Sequence, residues 1–328
     1  MKNMKLKTIF SILALFVVGM LSIFGHAGFA LAAPAFVALP VKNELAEKEM
    51  IKQFRHDDSW LAEVPTKNQW VNNDVIKIPV QGAAPNVLIN NNVYPIVSNQ
   101  REDGQVVLAL NKYDTENTDV TDDELYALPY EKTSDVQLQH RETLEDKTAE
   151  HALYSIAPDE NSADTFILET TGEADGSRKR LCAKDLINAK KKLDTANVPK
   201  KGRILVLSPD HVADLLIEDL TFKTRYQNTT TGAIADNYYG FKVYEATYPP
   251  KYNASKEKLP FESLDDGKFA TVIFHKRSTA KANGSVTRYA RDAKQNPEYR
   301  KSTIGFRLHF IGVSFRSEGI AAIVDGTV

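Results

Sequence analysis

The sequence predicts an α+β chain, and three stretches carry that prediction: a helix, strand, helix and strand over 181–245, a long polar helix over 134–156, and an alternating strand at 304–310. In the first, Cys182, Leu186, Ala189 and Leu193 recur at i, i+4, i+7 and i+11, which lays one apolar stripe along a helix and leaves the neighbouring lysines elsewhere. Asn197, Val198 and Pro199 end it, because the residue before a proline is pushed out of the α region. Gly202 then lets the chain reverse into a buried strand, 203–207. Ser208 can cap a following helix with Pro209 in its first turn, and Val212, Leu215, Leu216 and Leu220 keep helical period. The alternation at 240–245 predicts a second strand beside or near the first.

Composition sets the limits. The chain has 328 residues, 42% hydrophobic and 26% charged, enough to bury a sizeable core in one or two domains and unlike a disordered chain. Net charge is −2, but residues 1–175 hold 14 Lys+Arg against 27 Asp+Glu and residues 176–328 hold 27 against 16. Such halves can neutralise each other within one fold, and they also suit a subunit that meets copies of itself. One cysteine excludes an intrachain disulfide, and its place on the apolar stripe makes Cys182 a small core residue.

At the N-terminus, Lys2, Lys5 and Lys7 precede an apolar run over 9–24, and Ala30-Leu31-Ala32 supplies small residues of the A-x-A kind. This is the spacing of a secretory signal peptide, and the run is also close to membrane-spanning length, so an uncleaved anchor is a second option. Residues 34–63 read as a charged arm with a short helical stretch at 43–54. The β-like runs 75–80, 87–89 and 105–110, the last after Asp103-Gly104, predict a long two-stranded excursion with little core, and Pro79 and Pro95 argue for edge strands. A hairpin of that kind is marginal alone and needs a partner surface. The six carboxylates of 113–124 lack the glycine and spacing of a calcium loop and read as a solvated acidic loop.

Ser134-Asp135-Val136-Gln137 offers a capping box for a helix that runs to Ile156, is stopped by Pro158, and has a thin stripe of Leu144, Ala152, Leu153 and Ile156. At about 22 residues it would extend roughly 33 Å across a sheet. Residues 166–168 read as a strand, 172–176 as a loop, 248–267 as a proline-marked polar loop, and 268–275 as a strand. The span 276–301 is basic. Phosphate binding is its sharper reading, but few aromatic residues interleave for base stacking, so contact between subunits is preferred. Ile304, Phe306, Leu308 and Phe310 alternate with polar residues or glycine in a strand expected under the long helix, and 319–325 reads as a final short strand. No metal-binding, phosphate-loop or nucleophile-elbow motif is present and the histidines are scattered, so neither an active site nor a cofactor nor a metal is predicted.

Read in full, KKLDTANVPKKGRILVLSPDHVADLL followed by TGAIADNYYGFKVYEA resembles the A-domain of the major capsid proteins of tailed phages, the Hong Kong 97 fold. The residues that carry the resemblance are Leu193-Asp194, Asn197-Val198-Pro199, Gly202-Arg203, Ser208-Pro209 and Gly240-Phe241 with Val243-Tyr244. It implies an N-arm at 34–70, an E-loop hairpin at 71–120, a P-domain with a spine helix at 121–165 and 268–310, and an A-domain at 166–267 and 311–328, and it has to treat residues 1–33, signal-like by their spacing, as an unusual cleavable extension. It further implies self-assembly through pentamers and hexamers into an icosahedral head that encloses double-stranded DNA without sequence specificity. Portal, scaffold or maturation-protease partners, assembly in the host cytoplasm, and the absence of a small-molecule substrate complete that picture. The contacts between subunits would come from Val106, Leu108 and Leu110 in the hairpin, Arg277, Lys281, Arg288 and Arg291 in the basic span, and Asn228 and Thr230 in the loop 221–237. Lysine-to-asparagine crosslinks occur in some capsids of this fold; Lys77 is available, but no residue pair is selected. The competing expectation is an exported cell-envelope binding or adhesion protein, supported by the leader and by the sequons at Asn228, Asn253 and Asn283.

Overall fold

A run of five residues, Arg203–Leu207, is buried throughout. That is what an aliphatic strand requires when both faces of its sheet are covered. In the computed structural model, which describes residues 59–72, 75–80, 86–92, 94–96, 98, 100–123, 132–227 and 234–328, this strand lies inside the larger of two sheets with long strands. The leader, most of the arm and the helical stretch at 43–54 lie outside the described residues.

In chain order, a 3-10 turn (Ser59–Glu63) precedes β1 (Val71–Asn72), β2 (Val75–Val80), β3 (Gly104–Ala109), β4 (Asn111–Asp114) and β5 (Thr118–Thr121). Helix α1 (Lys132–Ile156), β6 (Thr165–Glu169), β7 (Ala174–Asp175), β8 (Arg178–Lys179), α2 (Ala183–Thr195), β9 (Arg203–Leu207), α3 (Pro209–Glu218) and α4 (Leu220–Gln227) follow. The chain continues with β10 (Ala235–Tyr238), β11 (Phe241–Glu245), β12 (Lys251–Tyr252), β13 (Lys268–His275), β14 (Thr279–Arg291), β15 (Lys301–Ser314) and β16 (Ile320–Val324).

The larger sheet has the order β10-β11-β9-β13-β16-β6, with β12 beside β13. The β9–β11 and β6–β16 pairs are parallel, while β13 runs antiparallel to both of its long neighbours. Alternation along β9 sends Leu205 and Leu207 to one face, against Leu186, Ala189 and Leu193 of α2 and Val212 and Leu215 of α3. It sends Ile204 and Val206 to the other, against Trp60, Val64 and the last turns of α1. Each such aliphatic side chain contributes about 1.5–3 kcal/mol when fully withdrawn from water.

The turn after α2 shows why the sequence folds locally as it does. Asn197 takes φ +55, the amide of Val198 reaches the carbonyl of Leu193, and the amide of Asn197 reaches that of Asp194. This is a Schellman closure, with Val198 and Leu193 in the same apolar cluster. Arg203, 2% exposed, fastens it by donating to the carbonyls of Val198 and Pro199 and to Asp194.

The second sheet joins β14, β15, β4 and β5, and α1 packs along β15. The buried residues of α1 form a stripe at intervals of four, Val136, His140, Leu144, Thr148, Ala152 and Ile156, with Ala149 and Leu153 beside it. A Cβ on Gly312 would stand 2.6 Å from the Cβ of Ala152, so glycine there is what lets helix and strand approach. Lys258 closes the C-terminal end of the helix, its ammonium donating to the carbonyls of Tyr154 and Ala157.

Several expectations are corrected. The acidic stretch contributes two strands, β4 and β5, because Arg307 neutralises Asp114 and Lys301 neutralises Asp119 across the sheet. The basic span contains the 13-residue β14, whose register is set by β15 despite few apolar residues of its own. The loop at 172–176 carries the start of a small hairpin, β7–β8, turned at Gly176 with φ +63. Helix α1 starts at Lys132, so Ser134 lies within its first turn and does not cap it. The helix after Ser208 stops at Glu218: the carboxylate of Asp219 accepts the amides of Thr221 and Phe222 and starts α4, leaving Leu220 79% exposed. Residues 87–89 are not a strand, and Asn90 beyond them turns at φ +53.

Candidate functional site

The hairpin begins as a ladder from Val75↔Ala109 to Val80↔Gly104. Alternation decides what each side chain can do. Ile76, Ile78 and Leu110 are buried against Ala282 and Ile311, with Val106 and Leu108 packed on the same cluster. Of the predicted contact residues, Val106, Leu108 and Leu110 therefore face the root of the hairpin, and Leu110, at 8% exposure, is core. Val107 between them is 52% exposed. Beyond the ladder Val87, Leu88, Ile89, Tyr94 and Ile96 are all exposed, Ile89 at 84%. Pro79 pairs only with Gln105, since β1 covers β2 only at Val75 and Ile76; the missing amide hydrogen is tolerated where a strand has one neighbour.

The β14–β15 ribbon is the second exposed element. Its inner half buries Thr279, Ala280 and Ala282; after a bulge between Asn283 and Val286, β14 is solvent-exposed to Arg291. Arg288 and Arg291 stand on this outer half, and the guanidinium of Arg291 donates to Asn296. Arg277 is exposed in the turn before β14. Lys281 has an internal role: its ammonium donates to the carbonyl of Leu61 at 2.7 Å, and its backbone bonds Pro65 and Lys67. Asn228 and Thr230 lie outside the described residues, while 221–227 of the expected loop is helix α4.

The chain enters the described structure through a fixed root. Trp60 and Val64 are buried against the larger sheet, and the carboxylate of Glu63 accepts Lys242 and the hydroxyl of Tyr244, both at 2.6 Å, and also pairs with Lys276. Burial alone would raise this carboxyl; hydrogen bonds from Lys242, Lys276 and Tyr244 outweigh it and hold it at about 2. Conversely, Glu63 keeps the Lys242 ammonium above its ordinary range.

Sequence reasoning missed one polar constellation. Nε2 of His211 donates to Asp325 at 3.0 Å, while the Thr271 hydroxyl meets Nδ1 at 2.6 Å and also accepts the Ser208 amide. Arg178 grips the neighbouring Asp214 with two hydrogen bonds of 2.7 and 2.8 Å. All of His211, Thr271, Asp214 and Asp325 are buried, and the network ties α3, β13, β8 and the end of β16 together. An exposed nucleophile is what such a triad needs for acyl transfer, and this hydroxyl is enclosed. The partners stand 60 and 114 positions from His211, so no local signal announces them. Among the described residues, no group of three or more metal-ligating side chains converges, and no helix is long and apolar enough to cross a membrane.

Helix α1 along a four-stranded sheet, a larger sheet buried on both faces, and a core-poor hairpin rooted on β14 and β15 define a mixed α+β fold of the Hong Kong 97 type, the architecture of the capsid structures it matches. A chain of the capsid of Cyanophage P-SCSP1u superimposes with a TM-score of 0.60 at 14% identity, over 91% of this chain and 100% of that one. A chain of the capsid of Ralstonia phage GP4 gives 0.59 at 8% identity, over 93% and 99%. A chain from Mycobacterium phage Che8 gives 0.58 at 17% identity, over 89% and 98%. No protein-family model matches the chain, and neither does any curated protein sequence.

Proposed function

We propose that the chain is a major capsid protein of a tailed phage, a structural subunit that tiles a closed icosahedral head with copies of itself and performs no enzymatic step. The observation that carries this reading is similarity along nearly the whole of both chains to chains of phage capsids. The exposed apolar end of the hairpin supports it, since such a patch on a projection with little core calls for a partner surface. In this reading residues 34–70 are the N-arm, 71–120 the E-loop, 121–165 with 268–310 the P-domain, and 166–267 with 311–328 the A-domain. Pentamers and hexamers would form through the A-domain and be joined by hairpin and arm, each contact weak and all acting together. Val107 and the hairpin tip are the principal contacts, with Arg277, Arg288 and Arg291 as secondary ones. Packaged DNA, portal, scaffold and a protease acting on residues 1–33 are its further partners.

The test is fractionation of host cells that express the full chain, followed by mass determination of its N-terminus. Fast-sedimenting particles from the cytoplasm are expected. Soluble envelope material beginning near Ala33 would replace this reading with the exported binding or adhesion protein.

A further inference from the structure

His140 is the second residue of the stripe that α1 presents to β15, yet it is only 8% exposed and its Nε2 has no hydrogen-bond partner. Its ring leans on Phe306 of β15, with centroids 5.6 Å apart. The residues one helical turn away, Val136, Gln137, Thr143 and Leu144, carry no charge. Charged and titratable groups on the strands packed against the helix are committed elsewhere: Asp119 of β5 to Lys301 and Thr303, Arg307 of β15 and Lys112 of β4 to Asp114, and His309 of β15 to the Ser285 hydroxyl. A proton on His140 would therefore add a buried charge that no ion pair among the described residues compensates.

The far half of the same helix is built differently. His151 is also pushed below its ordinary value, by burial and by the Lys258 ammonium with Glu262 opposing. It differs from His140 in having a hydrogen-bond partner: its Nδ1 meets the Tyr113 hydroxyl at 2.6 Å, between the rings of Phe261 and Tyr154. A protonated Nδ1 there can donate to the Tyr113 oxygen, so the contact survives the charge. Ala152 sits against Gly312, and Lys258 holds the last carbonyls.

We propose that His140 makes the leading half of α1 an acid-sensitive hinge, which lifts from β15 when the imidazole is protonated while the half after Thr148 stays docked. Burial pushes the His140 imidazole below its ordinary value. Because the neutral form is the one the fold accepts, the helix–sheet contact is fully held above about pH 6.5 and is lost as pH falls below it. The inference concerns the chain itself and stands or falls separately from the shell reading.

Hydrogen exchange on the full chain between pH 7.5 and 5, corrected for intrinsic rates, tests it. Amides in 136–145 are expected to lose protection by up to about tenfold per pH unit, the slope of one proton, while those in 149–156 change little. Equal loss in both halves, or none in the first, overturns the proposal. His140→Leu is expected to flatten the pH response of 136–145, and a variant with the parent's slope would overturn it too. If that variant does not fold, His140→Gln, uncharged at every pH, gives the same readout.

Discussion

The larger sheet and the hairpin treat their side chains in opposite ways. In β9, β13 and β16 nearly every residue is enclosed by its own chain: one face meets α2 and α3, the other meets α1 and the root at Trp60, and even His211, Thr271 and Asp325 satisfy one another. Between β2 and β3 the chain instead leaves Val87, Leu88, Ile89, Tyr94 and Ile96 in water, and only the first rungs of the ladder reach a core. One region has spent its apolar surface on folding; the other holds it in reserve. Substitutions in the first should therefore act on stability, and substitutions in the second on association.

The largest effect is expected where burial is complete. Leu205→Ala removes a side chain from the centre of the sheet and should cost about 2–5 kcal/mol in chemical denaturation. Glu63→Gln comes next, because its carboxylate is the shared acceptor for two ammonium groups and a phenol. With the carboxyl at about 2 in the fold and an ordinary value of 4.5, ionised Glu63 contributes about 3 kcal/mol, fully present above pH 4.5 and lost as pH falls toward 2. In the Gln variant the part of acid destabilisation below pH 4.5 should shrink, while the loss between pH 6.5 and 5 assigned to His140 remains. Gly312→Ala should cost about 1–3 kcal/mol, since the added methyl meets Ala152 and pushes α1 off β15; an added Ala152→Gly should recover part of the loss.

What the sequence made legible follows the same division. Where a strand is enclosed, as at 203–207, 268–275 and 304–310, its aliphatic run or alternation announces it, and the turn at Asn197 to Pro199 carries its own stop signal. Where a strand is held by partners distant in sequence, the local composition misleads. Asp114 and Asp119 look like a loop until Arg307 and Lys301 arrive from about 190 residues away, and the basic span 276–301 carries no strand signal of its own until β15 pairs with β14. The polar members of the α1 stripe, His140 and Thr148, were invisible for a related reason: apolar periodicity cannot flag a buried histidine, and Thr148 hides its hydroxyl on the carbonyls of Leu144 and Glu145. In the hairpin, sequence found the excursion but not its sidedness. Leu108 and Leu110 point home, so charges there would unsettle the fold before they informed on assembly.

The smallest effect on stability, within about 0.5 kcal/mol, is expected at the exposed tip, and there the central claim is most directly at risk. Sedimentation velocity and electron microscopy should compare the full chain with Leu88→Asp/Ile89→Asp, after matching thermal melts establish that both are folded. Closed shells from the parent and only small oligomers from the double variant are the predicted result. Shells of the same size and yield from both proteins, or a parent chain that stays monomeric where it is expressed, would contradict it.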